Sequence, residues 1–585
     1  MKGSRLAHLI AAIGIAASGC QSRPATGPGA DHVFVNARVY TLDEDQPWAS
    51  AVAVVGERIS YVGDESGARA LIGSGTAIHD LGGRLFLPGF IDTHAHPMMA
   101  AGSREQLKLD PQATEAELLA AVARYARKRR DVPLIQGFGF GAAQFGPEGP
   151  DKRALDRAVS DRPVILVDEG GHSAWANSKA LEILEIDRYA ADPIPGSHYY
   201  KRDAAGDPTG WMLESQTFMP ALAKLGGFQK QDAVDGADDL FRLWSSLGVT
   251  TVYDAGMTAF EMTALEAAAQ LDAEGRLPFR YVASHMIQNP AQLSSAIETF
   301  RTLERRYRGR RLRMGGIKLH NDGTIQAHTA GLLTPYTDDP GNRGGVLVEG
   351  DALRDFVVAV DAAGIDLHIH AIGDRTVREA LDAVETARVA NGSTETRITL
   401  CHLELIHDED LPRFAELGVV AQTTPIWHGP NGPDSLRALG PGRFESLFRF
   451  ARLTRDGVRV TFGSDFPASG TIQGISPVFN IEVGHTRQAA GEPDSPIQGD
   501  IGERLDLETM VRGYTLDAAY QLHLEHEVGS IEVGKRADLI VLSRNLFEID
   551  QYKIHTTKVL LTMVNGVVVH ERGLRHWIAD RALGL

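Results

Sequence analysis

Between residues 87 and 526 the chain repeats one pattern, in which a short apolar run is followed by a stretch of helical periodicity. Helical stretches at 351–363 and 371–390 are clear examples. This alternation predicts a parallel sheet with crossover helices, and the number of units predicts closure into an α/β barrel. The apolar runs lie at 87–91, 163–167, 249–253, 279–283, 316–319, 365–369, 398–400, 419–422 and 458–462.

Both ends of the chain are rich in short β-type runs. Val33–Tyr40 and Ala51–Val55 precede the barrel pattern, and Ala537–Leu542 and Val564–Val569 follow it. We interpret them as one small β-sandwich domain built from both termini. The predicted boundaries are 32–86 for its first part, 87–526 for the barrel and 527–585 for its second part. The interval of about 100–160 is longer than one barrel unit needs, so we expect an insertion there.

The N-terminus has the pattern of an export signal. Lys2 and Arg5 precede a short apolar segment, and small residues come directly before Cys20. This resembles a bacterial lipobox, which predicts a lipoprotein-type signal peptide at 1–20, acylation of Cys20 and a linker at 21–31. We expect a lipid anchor in the cell envelope, at the outer membrane facing the periplasm in a cell with two membranes. Plain secretion, with Cys20 incidental, is the alternative.

Composition narrows the class of protein further. The chain has 585 residues, of which 43% are hydrophobic and 23% charged, as in an ordinary globular protein. Its net charge of −17 argues against nucleic-acid binding, for which a basic surface is expected. After residue 20 the sequence has no uncharged apolar run of about 20 residues, so no transmembrane helix is expected there.

The first apolar run leads directly into His94 and His96. Side chains alternate across a strand with a period of two, so both imidazoles project to the same side. Two neighbouring imidazoles at a strand end can chelate a divalent metal. The pair alone is weak evidence, because such histidines are more often exposed or hydrogen-bonded.

Four further runs also end in residues able to bind a metal. They lead into Lys318, His370, His402 and Asp465. Barrel enzymes take their catalytic residues from the C-terminal ends of several strands, which meet at one mouth of the barrel. We therefore expect all these side chains to converge on one metal site.

These motifs together resemble the amidohydrolase superfamily, specifically its YtcJ-like branch, which includes N-substituted formamide deformylases. The resemblance covers nearly everything from about residue 32 onward, and it implies a (β/α)8 TIM barrel, a β-sandwich and metal-dependent hydrolysis. The matching segments are Pro88-Gly89-Phe90-Ile91-Asp92-Thr93-His94-Ala95-His96, Lys318 with Asp322-Gly323, His370-Ala371-Ile372-Gly373-Asp374, His402, Gly463-Ser464-Asp465-Phe466-Pro467, the segment 171–181 and the segment 529–542.

The resemblance also implies roles for individual residues. Lys318 matches a lysine that superfamily members often carboxylate with carbon dioxide to bridge two metals; the alternative is an ordinary amine beside one metal. We expect Asp465 to be the general base and then the general acid, with His370 as a second catalytic residue. The site would hold one or two divalent ions, and its many imidazoles suit zinc. The metal ligands implied are His94, His96, Lys318, His370, His402 and Asp465.

Other polar and aromatic residues are candidates for contact with substrate. The substrate-binding candidates are His172, His320, Asp322 and Trp211, each with structural hydrogen bonding or packing as the alternative role. His368 has the strand parity of His370 but lies deeper, so we expect it to support the site from the core. Glu404 either orients a ligand or is a structural carboxylate.

The sequence favours hydrolysis of a carbon–nitrogen bond other than a peptide bond, in a linear amide, an N-acyl or an N-formyl compound. One alternative is deamination of a ring by the same superfamily, although the His-x-x-Glu helix of many deaminases is not evident. Another is a surface lipoprotein that binds a ligand without catalysis. The expected partner is a small-molecule amide, and a homo-oligomer is left open.

Overall fold

The computed structural model describes residues 29–104, 106–141, 145, 148–257, 259–430 and 432–572. The predicted signal peptide, its Cys20 and most of the predicted linker lie outside the described residues. The strands are β1 (His32–Val35), β2 (Arg38–Tyr40), β3 (Trp48–Ala49), β4 (Ala51–Val55), β5 (Arg58–Gly63), β6 (Ala77–Asp80), β7 (Leu85–Pro88), β8 (Phe90–Ala95), β9 (Leu107–Lys108), β10 (Ile135–Phe140), β11 (Val164–Asp168), β12 (Ser173–Ala176), β13 (Tyr199–Arg202), β14 (Pro208–Leu213), β15 (Val249–Asp254), β16 (Arg280–Ile287), β17 (Leu312–His320), β18 (Leu367–Ala371), β19 (Ile398–His402), β20 (Val420–Thr423), β21 (Val460–Phe462), β22 (Leu539–Leu542), β23 (Val559–Val564) and β24 (Val567–Glu571).

Helices connect these strands, and α10 and α11 coincide closely with the helical patterns predicted at 351–363 and 371–390. Across the described residues, no helix is both long and apolar enough to cross a lipid bilayer. The helices are α1 (Glu65–Arg69), α2 (Pro97–Gly102), α3 (Glu115–Lys128), α4 (Lys152–Ala158), α5 (Ser178–Leu184), α6 (Ser215–Lys224), α7 (Lys230–Ser246), α8 (Glu261–Ala273), α9 (Ala296–Arg306), α10 (Gly350–Ala362), α11 (Asp374–Asn391), α12 (Leu411–Leu417), α13 (Pro433–Glu445), α14 (Phe450–Arg455), α15 (Pro477–Thr486), α16 (Leu507–Gly513) and α17 (Leu516–Gln521).

Eight parallel strands form the central sheet, in the order β8, β15, β16, β17, β18, β19, β20 and β21. Their residues are buried almost throughout, as expected where helices cover the outer face of a barrel. The two end strands approach each other through Asp465, whose backbone N–H donates to the carbonyl of His94 at 2.6 Å. This nearly closed barrel confirms the predicted fold class.

A second sheet contains β9 to β14. Along the chain, its strands lie between the first and second barrel strands, from Leu107 to Leu213. The insertion is therefore longer than the predicted interval of about 100–160. The apolar run at 163–167 is a strand of this inserted sheet, not of the barrel, because β11 pairs with β10 and β12. A short apolar run shows that a strand is buried but does not show in which sheet.

The predicted β-sandwich is also confirmed. One sheet contains β5, β4, β1 and β6, and the other contains β24, β23, β22, β7, β2 and β3. The two ends of the chain meet where β22 pairs antiparallel with β7. Buried side chains from both sheets share one apolar core, including Phe34, Phe86, Leu539 and Met563.

Candidate metal centre

The structure brings all the predicted metal-binding side chains to one cavity at the C-terminal mouth of the barrel. The cavity volume is about 1060 Å³, including the opening to solvent. Each side chain follows or ends a different barrel strand, except for the two histidines of the first strand. The cavity lining includes His94, His96, Lys318, His370, His402 and Asp465.

His94, His96 and Asp465 form the tightest cluster. Asp465 Oδ1 lies 3.4 Å from His94 Nε2 and 3.2 Å from His96 Nε2. His96 Nδ1 lies 2.6 Å from the carbonyl oxygen of Gly256, so it is the nitrogen that donates a hydrogen and Nε2 has its lone pair available. His94 Nδ1 lies 3.0 Å from His368 Nε2, which confirms that His368 supports the site from the core.

The backbone around this cluster is arranged by Asp92. Its Oδ1 accepts the backbone N–H of Ser464 at 2.9 Å and that of His94 at 3.3 Å, so one carboxylate joins the first and last barrel strands. Burial raises the pKa of Asp92 to about 6. Asp465 itself has φ of +48°, a strained left-handed conformation of the kind found at functional sites.

Lys318 lies next to this cluster, and its contact with Cys401 was not predicted from the sequence. Its Nζ donates to the Sγ of Cys401 at 3.0 Å and lies 3.5 Å from His94 Nε2. Burial raises the pKa of Cys401 to about 12, so the group is a neutral thiol. Cys401 was missed because adjacent strand residues normally face opposite sides. His402 has φ of +74° and lines the cavity, while Cys401 contacts Lys318.

His370 and His402 have buried ring nitrogens that form no hydrogen bond, although a carboxylate oxygen lies 3.5 Å from His370 Nε2 and 4.0 Å from His402 Nδ1. His402 Nδ1 and Nε2 and His370 Nε2 are buried and form no hydrogen bond within the described protein. Burial, followed by the charges of neighbouring histidines and Lys318, holds the pKa of both rings well below the usual range. Buried, neutral imidazoles that form no hydrogen bond fit a divalent metal, which binds through nitrogen lone pairs.

Two of the side-chain groups with metal-ligand spacing open onto the cavity. Within each group the ligand atoms lie within 4.8 Å of one another: His94, His96 and Asp465 form one, and His172, His320 and His370 form the other. A deeper group of the same spacing contains His94, His368 and Cys401. The donor set of imidazoles, a carboxylate and a lysine therefore suits one ion or two.

His172 and His320 line the cavity as predicted. His172 Nδ1 lies 2.9 Å from Glu214 Oε2, and Thr329 Oγ1 donates to the other oxygen of Glu214 at 2.5 Å. Burial alone lowers the pKa of His172, but the Glu214 carboxylate outweighs it and raises the pKa to about 9. Glu214 was not predicted, because its burial and its φ of +67° leave no pattern in the sequence.

Two predicted substrate-binding residues are placed elsewhere, since neither is in the described cavity lining. Asp322 is buried, and its carboxylate accepts the backbone N–H groups of Gly331, Ile372 and Gly373. It holds the loop that follows His370. Trp211 packs against Gly149, where an added Cβ would lie 1.9 Å from the ring. Strand position alone does not distinguish a pocket wall from a packed layer, and substrate binding by Asp322 and Trp211 stays a prediction.

A parallel barrel whose strand ends gather histidines, a lysine and an aspartate defines a metal-dependent hydrolase as the class of protein. The family model described as "Amidohydrolase family" matches residues 77–570. The chain belongs to the amidohydrolase family, and it is an enzyme that hydrolyses carbon–nitrogen bonds.

Similar proteins support this assignment over most of the chain. An N-substituted formamide deformylase of Arthrobacter pascens is 28% identical over 564 residues, covering 93% of this chain and 98% of the relative. The exoenzymes regulatory protein AepA of Pectobacterium carotovorum is 31% identical, covering 73% of this chain and 92% of that protein. The crystal structure of an uncharacterized metal-dependent hydrolase from Pyrococcus horikoshii aligns with a TM-score of 0.68 and 25% identity, covering 89% of this chain and 99% of that one.

Proposed function

We propose that this enzyme hydrolyses a linear amide, an N-acyl or an N-formyl compound, with zinc as the metal. The observation that carries the proposal is the convergence of six candidate ligand side chains on one cavity, two of them imidazoles with buried nitrogens that form no hydrogen bond. The similarity to an N-substituted formamide deformylase supports the choice of bond. The ligands would be His94, His96, Lys318, His370, His402 and Asp465.

A divalent metal held by these residues supplies Lewis acidity and lowers the pKa of a water molecule. Asp465, which touches both His94 and His96, accepts the proton of the attacking water and delivers it to the leaving nitrogen. The hydroxyl adds to the carbonyl carbon as the carbon–nitrogen bond breaks. His172 and His320 line the same cavity and bind the substrate carbonyl side.

Lys318 is part of the same proposal. An ammonium group cannot bind a cation, whereas a carbamate formed with carbon dioxide would supply anionic oxygens as metal ligands. We infer that Lys318 is carbamylated in the active enzyme. Metal analysis tests this inference: two equivalents of metal in the native protein should fall to one in Lys318→Ala, and an unchanged content contradicts carbamylation.

The decisive experiment is Asp465→Asn, which keeps the side-chain shape and removes the proton acceptor. We expect turnover to fall by about 100- to 10,000-fold, the usual contribution of general acid–base catalysis. Substantial metal should remain bound, because the histidine ligands are intact. Asp366→Asn is the control, since Asp366 pairs with His523 outside the cavity. Normal turnover by Asp465→Asn contradicts the proposal.

Metal analysis of protein grown in metal-replete medium tests the proposed metal dependence, because a site that stays empty contradicts metal-dependent hydrolysis. Ring deamination is tested by assaying ammonia release from purines and pyrimidines.

We also propose export with a lipid anchor on Cys20, which labelling with radioactive palmitate tests.

A further inference from the structure

Apart from its metal-binding residues, the cavity is lined mostly by apolar side chains, and its uncharged polar members besides histidine are Ser103, Gln106, Gln136 and Ser215. Its lining includes Met99, Phe138, Met219, Leu222, Phe228 and Met286. Four of the eleven methionines in the chain line this one cavity. Among the described lining residues, Lys318 and Asp465 are the only lysine, arginine, aspartate or glutamate side chains. Both belong to the metal centre, so the remaining lining carries no carboxylate and no ammonium or guanidinium group.

Much of this apolar wall comes from the inserted segment. Phe138 lies on β10, and Met219 and Leu222 lie on α6, which follows the inserted sheet. Phe138 and Met219 are both half-buried. Phe228 packs against Phe260, with ring centroids 5.3 Å apart. The barrel holds the metal centre and contributes Met286 on β16 to the apolar wall, and the segment between β8 and β15 supplies the other five residues named above.

We propose that this apolar wall is a specificity pocket for a bulky, uncharged hydrocarbon substituent on the amide substrate. The proposal rests on the function proposed above and names its substrate class. It selects against amides that carry a free carboxylate, such as N-acyl amino acids. Methionine side chains adapt to different shapes, so the pocket accepts a range of alkyl and aryl groups.

Two physical arguments support this selection. Each methylene that leaves water for an apolar pocket gains binding free energy, whereas a charge buried there without a partner costs far more. His172 also lines the cavity, but Glu214 Oε2 lies 2.9 Å from its Nδ1 and is already paired with that ring. The cavity thus offers a carboxylate no unpaired cation apart from the metal centre.

The first test compares kcat/KM for four amides: N-methylformamide, N-hexylformamide, 6-formamidohexanoate and N-methylheptanamide. kcat/KM for the amide with its long apolar group on the favoured side of the bond should be on the order of 100-fold higher than kcat/KM for N-methylformamide, because several methylenes are buried. It should also be higher than kcat/KM for the carboxylate analogue. The two long apolar amides show whether the pocket takes the amine or the acyl side. Equal kcat/KM values throughout, or a preference for the carboxylate, overturn the proposal.

The second test assigns the preference to the pocket wall. Met219→Gln should lower kcat/KM for the preferred long amide about tenfold relative to kcat/KM for N-methylformamide, the effect of replacing apolar contacts by a polar group. Met219→Leu should keep the preference. Met262→Gln is the matched control, because Met262 lies on α8 with 40% of its surface exposed and outside the cavity lining. An unchanged preference in Met219→Gln overturns the assignment.

The two proposals can fail separately. If no amide is hydrolysed, the proposed function is wrong, and calorimetry with the same amides still tests the pocket. Tighter binding of a long apolar amide than of N-methylformamide or 6-formamidohexanoate then supports the apolar pocket. Equal or weaker binding overturns it.

Discussion

At the scale of single residues, the side chains that face the cavity are oriented by buried partners behind them. His368 lies against His94, the Gly256 carbonyl accepts from His96, and Glu214 pairs with His172. Such partners fix which ring nitrogen points into the site, and they matter nearly as much as the residues that touch substrate or metal.

Glu214 provides the clearest test at this scale. Glu214→Gln keeps the size of the side chain but removes the charge that raises the pKa of His172. A hydrogen bond between charged groups is worth about 1.5–3 kcal/mol, so we expect kcat/KM to fall about 10- to 100-fold. The metal content should not change. Steady-state kinetics and metal analysis of the same preparation measure both quantities.

Glu404→Gln is the matched control for Glu214→Gln. Glu404 is also buried, but it is outside the described cavity lining, and burial raises its pKa to about 7. An amide therefore changes little at that position, and activity should be retained. Equal losses in both variants would show that Glu214 has only a structural role.

The limits of prediction at this scale have a physical cause. Period-two alternation put His94 and His96 on one side of their strand, and the convergence of strand ends brought Asp465 to the same mouth of the barrel. Cys401 and Glu214 were missed, because positive φ angles at His402 and Glu214 redirect the chain locally. The backbone angle of a non-glycine residue leaves no pattern that a single sequence displays.

At the scale of elements, the metal centre depends on the close approach of the first and last barrel strands. Gly463 lies directly behind His94: an added Cβ would be 2.5 Å from the backbone nitrogen of His94. Only a glycine allows the two backbones to approach this closely. The glycine therefore sets the distance between His94 and Asp465, which belong to different ends of the sheet.

Gly463→Ala should consequently disturb both stability and metal binding. The contact is with backbone, which cannot move aside cheaply, so we expect a loss of about 1–3 kcal/mol in the free energy of unfolding. Metal affinity should fall as well. Gly442→Ala is the control, because Gly442 lies in α13 with no atom within 4 Å of an added Cβ. Urea midpoints and metal titrations measure both effects, and similar values for both variants contradict the steric role.

The sequence predicted which segments form strands and helices more reliably than it predicted the sheet to which each strand belongs. The barrel strands and helices α10 and α11 follow from the alternation of periodicities. The strand Val164–Asp168 was assigned to the wrong sheet, because its five buried residues are compatible with either sheet. Its true neighbours, β10 and β12, are determined by pairing contacts that no local pattern records.

At the scale of the whole molecule, the sandwich and the barrel are joined by a buried ion pair. Arg280 begins the barrel strand β16, and its Nη2 lies 3.3 Å from Asp538 Oδ1 beside the sandwich strand β22. Arg280 also donates to Asn565 Oδ1, and Asp538 Oδ1 accepts the backbone N–H of Asn565 at 2.8 Å. Both charged side chains are largely removed from water, with 10% and 2% of their surfaces exposed.

Removing either partner should leave the other charge buried and unpaired. We expect Arg280→Ala and Asp538→Ala each to cost about 3–5 kcal/mol in the free energy of unfolding, whereas the double variant should cost clearly less than their sum. Arg38→Ala is the control, because its pair with Glu548 is exposed at 56% and 61% and should contribute under about 1 kcal/mol. Urea unfolding of all four variants measures these values. Additive losses in the free energy of unfolding would show that the pair does not couple the two domains. We expect kcat/KM of the folded variants to stay unchanged, because Arg280 lies at the opposite end of its strand from the metal centre.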